Sequence, residues 1–240
     1  MAEAARKLEA DGASIIDINM GCPSKKVCAH SGGSALMKDP ALAGSIVRAV
    51  RSAIQIPLTV KMRSGFSAEQ RNAPEIAHIC QEEGAEAVAI HWRTREDKYG
   101  GGRTIDKIAE TKQLLRIPVL ANGDILDIES AVRMFEETGC DGIMVGRGAI
   151  RNPWLLLQIS QVLAGQAPVE VTADERQRGL IQYLDSIRGR FRNGRGVLER
   201  FKKIANYFTK GLPHGSELRV LVLLSKSIEE AGEKLGAYYD

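Results

Sequence analysis

The chain has 240 residues, 33 Lys plus Arg against 30 Asp plus Glu, a formal net charge of +3 and 44% hydrophobic content. That content suffices for one α/β barrel or one domain with an accessory unit. No apolar run approaches the roughly 20 residues of a membrane helix, and Met1-Ala2-Glu3-Ala4-Ala5-Arg6 lacks the basic-then-apolar order of a signal peptide. The four cysteines show neither CxxC nor zinc spacing and are too few for a disulfide scaffold, so reduced thiols, no metal and a cytoplasmic location are expected.

Taken along the chain, Leu8–Ile18 reads as a helix end, a glycine C-cap at Gly12 and a short apolar strand. The strand runs into a polar loop carrying Asn19, Cys22 and Pro23, just before Lys25-Lys26. A cysteine there is either an inert buried thiol or a reactive one. Ile56–Met62 is a second strand, with Lys61 and Arg63 at its end. Gln81–Ile90 repeats the helix–glycine–strand phrase and leads to His91 and Arg93. Tyr99-Gly100-Gly101-Gly102 reads as a flexible loop. Ile117–Asn122 is a fourth strand, ending at Asn122, Gly123 and Asp124, and Glu136–Val145 is a third copy of the phrase, ending at Gly146 and Arg147.

Five short strands, read as apolar on both faces and alternating with helices, predict a parallel sheet covered by helices. A βα barrel places its functional residues at the carboxyl end of its strands, whereas a doubly wound sheet concentrates them at one switch point. Polar residues at all five strand ends favour the barrel. The expected fold class is therefore α/β, an incomplete TIM (β/α)8 barrel with five of eight strands. A closed barrel runs to ~250 residues, so the remaining units are expected upstream of Met1.

After Pro153-Trp154 the strand alternation stops, and residues 172–240 read as helical. The domains predicted are 1–165 for the partial barrel and 170–240 for a helical domain, joined at Gly165-Gln166-Ala167-Pro168. Between Arg188 and Lys210 stand eight basic residues (Arg188, Arg190, Arg192, Arg195, Arg200, Lys202, Lys203, Lys210) against the single acid Glu199. Phe191, Phe201, Tyr207 and Phe208 interleave with them. This is either a solvated helix face with inward aromatics or a surface for a phosphate backbone.

Asp17–Val27, Gly32–Met37, Val60-Lys61-Met62-Arg63, His91-Trp92-Arg93-Thr94-Arg95, Asn122-Gly123-Asp124-Ile125, Met144–Ala149 and Asn152-Pro153-Trp154 occur in one order. That order resembles the tRNA-dihydrouridine synthases, and the bacterial B-type branch most. The resemblance implies an FMN-binding TIM barrel and a helical tRNA-binding domain that reduce selected tRNA uridines with NADPH, in a full-length form expected to be monomeric. It implies Cys22 as the acid that protonates C5 of the uracil. A thiol, with an ordinary pKa of ~8.5, holds its proton near neutrality yet can release it. Lys61, His91, Asn122, Gly123, Asp124, Gly146 and Arg147 are implied as cofactor residues, the last five around the phosphate. Asn19, Arg93, Arg195, Lys202 and Lys203 are implied as substrate residues.

The chain departs from that pattern in places. Lys202-Lys203-Ile204 stands where relatives have an Arg-Lys-His run, and the Ala-Pro-Met and glutamine-bearing strands of the family have no counterpart. The alternatives are a catalytically inactive remnant that keeps RNA binding, and another FMN barrel acting on a free pyrimidine. An open edge at the Ile15–Asn19 strand predicts that the chain alone binds FMN poorly and self-associates.

Overall fold

The computed structural model describes residues 1–97, 104–191, 194–210 and 214–239, without the side chains of 195 and 239. The Tyr99–Gly102 loop, Arg192 and the side chain of Arg195 therefore lie outside the described residues.

The first compact unit comprises 1–125 and 129–145, the second 126–128 and 146–240. In the first, α1 (Ala2–Ala10) leads into β1 (Ile16–Met20), which is followed by the single-turn α2 (Lys25–Cys28), a 3-10 helix (Gly33–Lys38) and α3 (Pro40–Arg51). Then come β2 (Leu58–Arg63), α4 (Ala73–Glu82), β3 (Ala87–His91), α5 (Asp106–Leu114), β4 (Val119–Asn122), α6 (Ile128–Thr138) and β5 (Gly142–Met144). The glycines predicted to end the preceding helices sit at positive φ, +95° at Gly12, +97° at Gly84 and +63° at Gly139. A Cβ disfavours that region, so glycine there releases the chain from helix to strand at little cost.

The strands are parallel and lie in the order β1-β2-β3-β4-β5. A doubly wound sheet reverses its strand order somewhere, and this one does not. The arrangement is five consecutive βα units of a barrel-type sheet, an incomplete TIM barrel. Solvation differs from the expectation that both strand faces are apolar. In β1, Ile16, Ile18 and Met20 are buried while Asp17 and Asn19 are exposed. In β2, Leu58, Val60 and Met62 are fully buried, and Thr59, Lys61 and Arg63 are only half-buried. The apolar face continues through Val88, Ile90, Val119 and Ala121 and meets buried helix residues such as Val47, Ile76 and Ile108.

Register aligns the opposite face in rows. One row runs Asn19, Lys61, Ala89, Leu120, Gly142, and the next Arg63, His91, Asn122, Met144. Because strand side chains alternate with period two, each row projects to the same side. The strand-end residues singled out in the sequence thus share one face.

The second unit contains α7 (Arg147–Arg151), α8 (Leu155–Leu163), α9 (Ala173–Arg190), α10 (Gly194–Phe208), α11 (Gly215–Leu224) and α12 (Ile228–Tyr239). Packing divides at Gly146 and groups α7 and α8 with the helical unit. Helix α9 starts on a capping box: the Glu175 N–H donates to Thr172 Oγ1 at 3.2 Å and the Thr172 N–H to Glu175 Oε2 at 2.8 Å, satisfying amides that a helix start leaves unpaired. Its core gathers Leu184, Ile187, Val197, Phe201, Phe208, Leu218, Val222 and Leu235, with Trp154 packed against it.

Candidate active site

The loop after β1 is held from several sides. Asn19 Oδ1 accepts from the N–H groups of Gly21 and Cys22, both at 3.0 Å. Its side chain therefore shapes the turn that carries Cys22. The Cys22 carbonyl accepts from the Ser34 N–H at 3.0 Å, from Ser34 Oγ at 3.0 Å and from Cys28 Sγ at 3.5 Å. Gly33 lies so close that an added Cβ would come within 2.7 Å of that carbonyl and 2.9 Å of Cys22 Cβ, at a φ of +55°. Only glycine fits both restrictions. The result is a half-buried thiol on a loop with little freedom.

Arg63, at the end of β2, ties this loop to another. Its Nε donates to the Gly21 carbonyl at 2.8 Å and its Nη1 to the Thr94 carbonyl at 2.9 Å. Two residues earlier, Lys61 Nζ donates to Asn122 Oδ1 at 3.1 Å. It reaches from β2 to β4 across the β3 position occupied by Ala89, whose single methyl leaves the path open. Asn122 in turn donates to the Met144 carbonyl at 2.6 Å, which fixes its amide orientation. Burial, then Arg63 beside it, lowers the Lys61 pKa, against a smaller opposing pull from Asp17. Burial likewise raises that of Asp17, opposed by its hydrogen bond from Thr59 and by Lys61.

His91 Nδ1 accepts from the Arg93 N–H at 3.1 Å, which leaves the proton on Nε2. Burial first, then Arg63, Lys61 and Arg93, push the His91 pKa down to about 4, with Asp124 acting weakly the other way. The ring is a neutral donor at physiological pH.

Arg93 is only 7% exposed, donates to Asp124 Oδ2 at 2.6 Å and lies over the Trp92 ring at 4.1 Å. Asp124, at a φ of +50°, has its carboxylate engaged by Arg93. At Gly123, φ is +120° and a Cβ would meet Trp92 Cδ1 at 2.5 Å, so this turn too requires glycine.

Asn19 and Cys22 therefore share one loop, Lys61 contacts Asn122, and His91, Arg93 and Asp124 form a second cluster bordering Gly123. Gly146 and Arg147 open α7 in the helical unit. Lys202 and Lys203 lie on α10. Lys202 is half-buried with Nζ 4.0 Å from Glu199, Lys203 is exposed, and Ile204 packs against the helical core. Of the interleaved aromatics, Phe201 and Phe208 face inward, while Phe191 is 39% exposed with the Arg200 guanidinium 4.2 Å from its ring. Arg63 was seen in the sequence only as a strand-end cation. Its period-two spacing from Lys61 is the signal that puts both on one face, but the two carbonyls it holds are separated from it by 42 and 31 residues. Cys28 and Ser34, which hold the Cys22 carbonyl, carry no spacing signal.

Among the described residues no group of His, Cys, Asp and Glu is placed to hold a metal, and no helix is long and apolar enough to cross a membrane.

Residues 1–238 match the model of the family described as dihydrouridine synthase. The chain is 39% identical over its whole length to a probable tRNA-dihydrouridine synthase of Rickettsia conorii, 72% of which it covers. Over 92% of the chain it is 40% identical to the tRNA-dihydrouridine synthase B of Pseudomonas syringae pv. tomato, of which it covers 66%. Among solved structures, phosphonopyruvate hydrolase with oxalate and Mg++ shares the fold at a TM-score of 0.51 and 22% identity, over 70% of this chain and 62% of that one. Histamine dehydrogenase from Rhizobium sp. 4-9 does so at 0.51 and 16%, over 67% and 27%. Family model, relatives and strand-end motifs agree: the chain belongs to the dihydrouridine synthase family, in its bacterial B-type branch.

Proposed function

We propose that this chain reduces the C5–C6 bond of uridines in tRNA, with FMN as cofactor and NADPH as reductant, in the cytoplasm. The observation that carries the reading is the placement of a half-buried thiol, on a loop pinned by Asn19, Ser34 and Arg63, at the same strand ends as the cations Lys61 and Arg63.

These two cations fit an anionic flavin. Lys61 and Arg63 are neighbours of like sign, and each makes the charged form of the other costlier; an incoming anion relieves that repulsion. Lys61, held by Asn122, and the neutral His91 with its Nε2–H are the donors that would hold the ring system, while the Asn122–Asp124 turn contains, at Gly123, a position closed to side chains. Gly146 and Arg147 keep their assignment to the cofactor phosphate on the strength of the sequence pattern. When bound, FMN supplies the hydride that adds to C6 of the uracil. Cys22 then gives its thiol proton to C5, and the three bonds on its carbonyl hold the loop while it does so. Asn19 uses its oxygen for the turn and keeps its Nδ2–H2 to donate to the base edge. Arg93, committed to Asp124, serves the substrate indirectly by shaping the loop after β3.

In the helical unit, Arg195, Lys202 and Lys203 would neutralise backbone phosphates. Supporting this, Lys203 is exposed and Arg200 rests on an exposed aromatic instead of an acid.

The test is to incubate the chain with FMN, NADPH and an unmodified tRNA transcript, and to follow tRNA-dependent NADPH oxidation together with dihydrouridine by mass spectrometry. A uridine that gains two hydrogens is expected. A flavin-loaded chain that oxidises NADPH without altering tRNA would overturn the proposal.

A further inference from the structure

Beside the Cys22 loop lies an open cleft of about 540 Å³ whose lining includes Lys25, Cys28, Lys38, Asp39, Phe66 and Arg95. Its residues come from the segments following three successive strands. Lys25 starts α2 and Lys38 ends the 3-10 helix, both after β1; Phe66 follows β2 and Arg95 follows β3. Phe66 is the floor on which the cations gather, with Lys38 Nζ 3.8 Å and the Arg95 guanidinium 5.2 Å from its ring centroid. Among the described residues Lys25, Lys38 and Arg95 form no ion pair, whereas Arg48, Arg51, Arg93, Lys107, Lys112 and Arg116 of the same unit all do. The one acid in the lining, Asp39, is already engaged, its Oδ1 accepting from the Leu42 N–H at 2.9 Å to cap α3.

Three cations with no ion pair among the described residues, from the segments after β1 and β3, line this cleft, and two of them, Lys38 and Arg95, lie against the Phe66 ring supplied by the segment after β2. We propose that this cleft receives the RNA strand next to the reacting uridine, with Lys25, Lys38 and Arg95 on its phosphates and Phe66 as an apolar platform for the flanking nucleotide. This inference rests on the tRNA reading of the site and deepens it. The cleft volume suits a single nucleotide. Its position does as well, because Cys28, which lines the cleft, also donates to the Cys22 carbonyl at 3.5 Å. The catalytic unit thereby grips its substrate within one residue contact of the thiol, independently of the basic segment on α10.

The decisive experiment compares the wild-type chain with Lys38→Gln/Arg95→Gln and with Phe66→Leu, measuring the affinity of an unmodified tRNA transcript across a salt series, NADPH-driven reduction of the flavin, and thermal melting. The double variant should bind tRNA on the order of tenfold more weakly, with a log–log salt slope shallower by about 1.4 to 1.8, the value for two lost phosphate contacts. Its flavin reduction and melting should match wild type. Phe66→Leu should weaken tRNA binding by several-fold, leaving the salt slope unchanged. Wild-type tRNA affinity and slope in the double variant would overturn the inference while leaving the tRNA reading intact. A selective loss of NADPH-driven flavin reduction would overturn it in favour of a dinucleotide in the cleft. Absence of tRNA binding by the wild-type chain itself would remove the tRNA reading, and this inference with it. A lowered melting point with unaltered tRNA affinity would reduce the cluster to a packing role.

Discussion

The strand-end face of the first unit and the basic segment of the second are both rich in cations, and they hold them differently. In the first, Lys61 is anchored by Asn122, Arg63 by two carbonyls and Arg93 by Asp124, and every one of these bonds spans at least 31 residues of chain. On α9 and α10, Arg188 meets Asp185 and Glu229 only at 3.8 and 3.5 Å, Lys202 stands 4.0 Å from Glu199, and Arg200 lies on Phe191. Chemistry at one carbon of one base demands groups preorganised to fractions of an ångström, which long-range bonds supply. Attraction to a phosphate backbone is long-ranged and tolerant, so loosely held charges serve it.

If that contrast is right, substitutions at the strand ends should act on turnover and those on α10 on affinity. The largest effect is expected at Cys22. Cys22→Ala should lower tRNA reduction by ~10²-fold or more, the usual scale for a lost general acid, with flavin content and NADPH oxidation of the bound flavin unaltered. Dihydrouridine formation near the wild-type rate would take the acid role away from Cys22.

Arg63 comes next. Arg63→Met keeps the aliphatic stem and removes the fork that holds Gly21 and Thr94. It should cost roughly tenfold in turnover by loosening the Cys22 loop, and Arg63→Lys should restore little, since one ammonium cannot span two carbonyls in fixed geometry. The same change removes a cation from beside His91, so in NMR titration the His91 pKa should rise from about 4. An unmoved His91 with normal turnover would break the link between β2 and the thiol loop.

On α10, replacing Arg195, Lys202 and Lys203 by alanine should weaken tRNA binding, with the log–log salt slope shallower by about 2 for three single-strand-type contacts. Turnover at saturating tRNA should stay within about twofold. A fall in turnover without loss of affinity would erase the distinction between the two cation-rich regions.

The smallest effect expected is a pH dependence of stability. The His91 pKa in the folded chain, about 4, lies below the ordinary value of 6.5, so the unfolded chain binds more protons between those limits. The resulting stability is fully present above pH 6.5 and is lost as pH falls toward 4. His91→Gln should flatten the decline of the melting temperature across that window. An identical decline in both proteins would assign it to other groups.

Much of the fold was legible because its signals are local. The helix–glycine–strand phrase needs only positive φ at Gly12, Gly84 and Gly139, and all three adopt it. Each of the five strands falls within a residue or two of where its apolar run stands. The motif order around Cys22, Lys61, His91 and Asn122 was likewise enough to identify the family. The expectation of strands apolar on both faces failed at Asp17, Thr59, Lys61 and Arg63, whose alternation with Ile18, Val60 and Met62 is visible in the sequence but was subsumed in the apolar run.

By itself, then, the order of residues determined where strands and turns form, which residues stand at strand ends and which family the chain belongs to. Those properties depend on backbone preferences and on patterns a few residues long. The tertiary structure decided what each strand-end residue touches: that Asn19 shapes the Cys22 turn, that Lys61 crosses Ala89 to Asn122, that Arg93 is spent on Asp124, and that Lys38 and Arg95 converge on Phe66. The physical reason is that contacts between segments follow from strand register and loop packing. A shift of one residue in register would turn Lys61 and Arg63 to the opposite face and undo them all.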